Sequence, residues 1–129
     1  MSLATGISIG PGVCGRGLYI PHHGSIVVNS SARIGRFCTL QSGVNIGATA
    51  SGVPQLGDYV FVGPGVVVFG AVRIGAAAVL GANAVVSRDV PSGVTVVGVP
   101  ARIISERNSA SVVAPWLREV VAAGIGEAR

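Results

Sequence analysis

Residues 56–85 divide into five hexads, LGDYVF, VGPGVV, VFGAVR, IGAAAV and LGANAV, and the fold is decided there. Leu56, Val62, Val68, Ile74 and Leu80 open these hexads, and Val86 opens the next. A glycine follows four of them, as Gly57, Gly63, Gly75 and Gly81. Two residues before each opening position sits another small or apolar residue: Pro54, Val60, Val66, Val72, Ala78 and Ala84. Upstream the same step runs through Val28, Ile34, Leu40 and Ile46, preceded by Ile26, Ala32, Cys38 and Val44, with Cys14 and Ile20 earlier still. Period six fits neither a 3.6-residue helix nor an alternating strand. It fits a short strand and a turn, three hexads closing one triangular coil, with coils stacked in parallel. The glycine after each inward residue is expected to ease the turn.

Two spacings break the register. Ile20 to Val28 is eight residues and Ile46 to Leu56 is ten. Extra residues in a solenoid emerge as surface loops, where function tends to sit. The first insertion carries Pro21, His22, His23 and Gly24, including both histidines of the chain; the second spans Gly47–Gln55.

Composition agrees with a narrow core. Half of the 129 residues are hydrophobic, yet only 5% are aromatic and 20 are glycine. A chain of this length is one domain. The net charge is +4, every base is arginine, and the arginines are scattered from Arg16 to Arg129. That pattern lacks the clustering of a nucleic-acid footprint, and the absence of lysine excludes Schiff-base chemistry. Two cysteines, Cys14 and Cys38, are too few for a disulfide scaffold and match no metal spacing. No leader and no apolar run of about 18 residues stands out, so no membrane span and a cytoplasmic setting are expected. After residue 104 the tail, 105–129, reads as partly helical: Val112, Val113, Trp116, Leu117, Val120 and Val121 recur at helical spacing. Its expected task is to cap the last coil or to pack on a neighbour, with Trp116 as an ordinary packing anchor.

The hexads Ile74-Gly75 and Leu80-Gly81 resemble those of the left-handed β-helix acyltransferases. Gly17-Leu18-Tyr19-Ile20-Pro21-His22 with Ile26-Val27-Val28 resembles the catalytic-histidine segment of the serine O-acetyltransferases and of relatives linked to polysaccharide modification. Leu40-Gln41-Ser42-Gly43-Val44 resembles the following coil, and Gly98-Val99-Pro100-Ala101-Arg102 the closing signature. The likeness covers roughly residues 7 to 104. It implies an all-β, left-handed parallel β-helix over residues 1–104 with a short carboxy-terminal helix, and the left hand is implied by the likeness alone.

It further implies an acetyl-CoA-dependent O-acetyltransferase with His22 as general base. A near-neutral imidazole takes the acceptor's proton, and backbone amides hold the oxyanion. His23 is the alternative base. Ala82, Ser87, Arg88 and Arg102 are implied for coenzyme A, Ala82 beside the pantetheine and the arginines on phosphates. No metal is implied. A homotrimer is, with His22 of one subunit facing the Gly47–Gln55 loop of the next or coenzyme A bound there. The sequence departs from the serine enzymes at Ile7, where a carboxylate would stand, at Pro21 beside the histidine, and at Gly52-Val53, where an Arg-His pair would hold serine. Serine and a sugar or polysaccharide hydroxyl therefore both stand as acceptors. The competing reading is a non-catalytic structural β-helix; a carbonic-anhydrase-like zinc site needs a third histidine.

Overall fold

The computed structural model describes residues 6–22 and 24–128, without the side chains of 126–128. Short parallel strands build a three-walled prism. The first wall stacks β1 (Ile7–Ser8), β2 (Ile26–Val28), β5 (Asn45–Gly47), β8 (Val67–Phe69) and β11 (Val85–Val86). The second stacks β3 (Arg33–Ile34), β6 (Gln55–Leu56) and β9 (Arg73–Ile74). The third stacks β4 (Thr39–Leu40), β7 (Phe61–Val62), β10 (Val79–Leu80), β12 (Thr95–Val97) and β13 (Arg102–Ser105). The chain visits the walls in that order, so each residue pairs with its equivalent one coil away, as in Asn45 with Val67 and Thr39 with Phe61.

The hexad positions are the core. Leu40, Ile46, Val62, Val68 and Leu80 are fully buried, as are Cys38, Val60, Val66, Ala78 and Ala84 two residues earlier. Cys38 lies in this interior, where desolvation pushes its thiol up to about 12, and Cys14 is half-buried with its thiol raised for the same reason. Both are free thiols.

The glycines act differently from expectation. Gly57, Gly63, Gly75 and Gly81 do not adopt positive φ. What they supply is the missing Cβ, since a methyl on Gly63 would sit 2.8 Å from the Leu80 carbonyl oxygen of the next coil. The left-handed positions fall two residues later, at Tyr59, Gly65, Ala77 and Asn83, with Phe37 in the same column as Tyr59 and Ala77. Left-handed backbone at aromatic and alanyl residues is costly alone; here Phe37 and Tyr59 stack at 6.1 Å and pack with Ala77 beneath the tail.

The tail departs from the expected cap. β13, which straddles the boundary at residue 104, turns back antiparallel on β12 and covers the last strand of the third wall. The helix α1 (Pro115–Ala128) instead packs on the side of the prism, burying Val113, Leu117 and Val121 against Tyr59 and Ala77, with Phe61 at the margin. Trp116 is not a buried anchor; it is 59% exposed.

The three walls consequently differ. The third lies under α1. The second presents Arg33, Gln55 and Arg73 outward, and beside it Arg36 binds Asp58 of the next coil at 2.9 Å. Desolvation alone would raise the Asp58 carboxyl, but the hydrogen bonds and charge of Arg36 hold it below its ordinary value. The first presents Val27, Asn45, Val67 and Val85, and Val27 is 41% exposed.

On the covered wall the Thr39 hydroxyl is buried and has no hydrogen-bond partner. An unsatisfied buried hydroxyl costs about 1–3 kcal/mol. Thr39→Val should therefore stabilise the protein by about 1 kcal/mol in denaturant titration; a lower midpoint would show that the hydroxyl is bonded in solution.

Candidate active site

Two edges of the prism flank the first wall, and the two sequence insertions lie one on each. At the edge between the third and first walls, five residues separate Ile20 from Ile26 where the next coil needs three between Leu40 and Val44. His22, within this insertion, is exposed. Below it the edge continues through Gly24 packed on Ser42, then Pro64, then Ala82, linked by Gly65 N–H donating to Ser42 and Asn83 N–H donating to Pro64. His22 and Ala82 thus share one ridge, separated along the axis by three strand spacings, roughly 14 Å. His23 lies outside the described residues.

At the opposite edge, nine residues separate Ile46 from Leu56, against five between Val68 and Ile74. The insertion closes on itself: Thr49 and Gly52 exchange backbone hydrogen bonds, and the Thr49 and Ser51 hydroxyls meet at 2.7 Å. Ser51 Oγ also accepts from the Ala71 amide of the next coil, which pins the loop to the prism.

At the last coil, a cavity of about 360 Å³ opens where β11 turns toward the second wall. Ser87, Arg88 and Arg102 line it together with Asp89, Pro100 and Ile103. The Gly98–Ala101 segment forms one side, held by the Val85 amide donating to Gly98 and the Ala101 amide donating to Val85. Asp89 Oδ1 is engaged by the Arg73 amide at 2.8 Å. Arg88 and Arg102 both line this open hollow, with Arg102 Nη1 donating to the Ala101 carbonyl at 3.1 Å, and paired arginines suit phosphate oxygens.

The structure therefore joins Ser87, Arg88 and Arg102 and sets Ala82 and His22 apart from them, across the width of the first wall. No hydrogen bond or ion pair joins a carboxylate to His22 among the described residues. Asp58 is held by Arg36, Asp89 by the Arg73 amide, Glu106 borders a hollow with Tyr59 and Asn108, and Glu119 lies on α1. Ile7 stands on the first wall paired with Ile26. Among the described residues no three His, Cys, Asp or Glu side chains gather as metal ligands, and no helix is long and apolar enough to cross a membrane. One feature the sequence concealed adjoins the ridge: Tyr19 meets Trp116 of α1 edge-on, ring centroids 5.2 Å apart.

Stacked hexads and inserted edges define a hexapeptide-repeat β-helix. No family model matches the chain. A serine acetyltransferase of Synechococcus elongatus is 43% identical over 107 residues, 79% of this chain and 44% of that protein. One from Helicobacter pylori strain J99 is 42% identical over 107 residues, 79% of this chain and 63% of its own length. The crystal structure of Neisseria gonorrhoeae serine acetyltransferase in complex with serine matches with a TM-score of 0.68 at 35% identity, over 75% of this chain and 42% of that one. The solenoid is that of a left-handed parallel β-helix. Across its β-helix the chain is a homologue of the serine acetyltransferases and belongs to their hexapeptide-repeat acyltransferase family. It spans roughly half the length of these relatives, 44 to 63% of the two proteins.

If the cavity grips phosphate, Arg88→Ala and Arg102→Ala should each weaken binding of free coenzyme A about tenfold, the worth of one charge-assisted hydrogen bond. The loss should shrink in high salt. Calorimetric titration checks this, and unchanged affinity in both variants would remove the cavity from the site.

Proposed function

We propose that the protein transfers an acetyl group from acetyl-CoA to the hydroxyl of a small acceptor, with His22 as general base. The imidazole takes the hydroxyl proton as the oxygen attacks the thioester carbonyl. The tetrahedral intermediate expels the thiolate, which recovers the proton, leaving an O-acetyl ester and free coenzyme A. The thioester is already activated, so positioning and one proton transfer are what the protein must add.

One observation carries the reading: the histidine ridge and the arginine cavity border the same wall on opposite edges. Among the described residues nothing packs on that wall, whose outward column mixes Val27, Val67 and Val85 with Ser8 and Asn45, whereas α1 covers the third wall and arginines line the second. Three copies turned inward on their first walls would bring the His22 ridge of each beside the loop and cavity edge of its neighbour. Acetyl-CoA would then lie between subunits, with Ala82 on one side and Ser87, Arg88 and Arg102 on the other. The two unpaired thiols suit a reducing, cytoplasmic setting.

The relatives' names support serine as acceptor. A sugar hydroxyl is the second reading, favoured by Ile7 and by Gly52-Val53, which leave uncharged the positions where the serine enzymes would carry a carboxylate and an Arg-His pair. Free-coenzyme release should be measured with serine, hexosides and nucleotide-sugars. His22→Ala should lower kcat by roughly 10²- to 10⁴-fold with the fold intact by circular dichroism. Equal rates in variant and parent would refute the base; no release with any acceptor would leave a structural β-helix.

A further inference from the structure

The aromatic pair beside the histidine ridge stands apart from the cluster that seats the helix. Val113, Leu117 and Val121 are buried and hold α1 to the prism, whereas Trp116 keeps 59% of its surface exposed. The Phe37–Tyr59 pair packs under the helix, in the cluster that Phe61 borders. Tyr19 and Trp116 form a separate pair at the first coil. Tyr19 is paired with Thr39 on the third wall and stands three residues before His22, within ~10 Å along the chain.

Resting on the acetyltransferase reading, we propose that Tyr19 and Trp116 form the acceptor platform of the site. The occupant is an uncharged cyclic polyol, a hexose unit, stacked so that one ring hydroxyl reaches His22. Aromatic faces carry negative quadrupole charge, and the ring C–H groups of a sugar, polarised by adjacent oxygens, are positively biased. A zwitterionic acceptor asks instead for a carboxylate and a cation. Asp58 and Asp89 are engaged by Arg36 and by the Arg73 amide, and Gly52-Val53 offers neither charge in the loop. In the transfer the acceptor O–H bond and the C–S bond break, a C–O ester bond forms, and the proton passes through the imidazole to the thiolate.

Trp116 is the single tryptophan of the chain, so its fluorescence reports on the platform directly. Titrating the full-length His22→Ala protein with methyl hexosides should give a saturable change in emission, and titrating with serine should give none. In the active protein, Trp116→Ala should raise KM for the hexoside roughly 3- to 10-fold, the worth of one aromatic contact. kcat and the KM for acetyl-CoA should stay unchanged, and Trp116→Phe should restore most of the loss. Emission indifferent to every hexoside, or equal hexoside KM in Trp116→Ala, overturns the platform. Transfer to serine that Trp116→Ala does not affect, with silent fluorescence, overturns the platform while leaving the acetyltransferase reading intact. The fluorescence arm needs no turnover, so it decides the platform even if no acceptor releases coenzyme A.

Discussion

Each coil of this prism can bury its inward side chains only against the coil above and the coil below. The interior is too narrow for anything larger than Leu or Ile, and a glycine is needed wherever the next coil's backbone approaches closely. Leu80, Val62 and Leu40 make one inward column; Ala84, Val66, Val44 and Ile26 make another. Because every hexad must satisfy the same interior, individuality is confined to the outer faces and the edges. A chain under this constraint has little place for a buried catalytic pocket. The proposed chemistry is accordingly placed on ridges and completed by what lies beside them.

The outer faces show how that freedom is used. One wall is hidden by the chain's own helix, one carries an arginine–glutamine column, and one is uncharged and valine-rich. Both insertions and the last-coil cavity lie along the two borders of this last wall. Within one chain the histidine and the arginines lie on opposite borders of that wall, and the proposed threefold assembly would set the histidine border of one copy beside the arginine border of the next. The same geometry lets the tail helix bring Trp116 to the outer side of the histidine ridge, away from the first wall.

Much of this was legible from the spacing of residues. Inward positions repeat every six because the interior demands it, so the solenoid and nearly all of its core could be read by counting. His22 stood out because it interrupts that count. The stop–start of the last coil was not legible: Val94–Val99 reads as one apolar run, and nothing in Arg102–Ser105 announces an antiparallel return. The turn chemistry was misassigned, because a glycine after each inward residue serves close approach between coils rather than positive φ. The helix offered two apolar stripes of equal quality, Val112-Trp116-Val120 and Val113-Leu117-Val121. Only packing against Tyr59 and Ala77 decides that the second faces inward and leaves the indole exposed. The grouping of Ser87 and Arg88 with Arg102 also needed the fold, since the chain crosses the third wall and returns between them.

The central claim is that one site draws its base from one copy and its phosphate grip from the next. Mixing a His22→Ala chain with an Arg88→Ala/Arg102→Ala chain tests it most directly, after unfolding and joint refolding to exchange subunits, with rates read at acetyl-CoA far below its KM, where each chain alone is nearly silent. If the site spans two copies of a cyclic trimer, random mixing should restore about a quarter of the parental rate, since half of the histidine edges and half of the arginine edges are intact. A mixture that forms hybrid assemblies yet stays as inactive as its components would contradict the account.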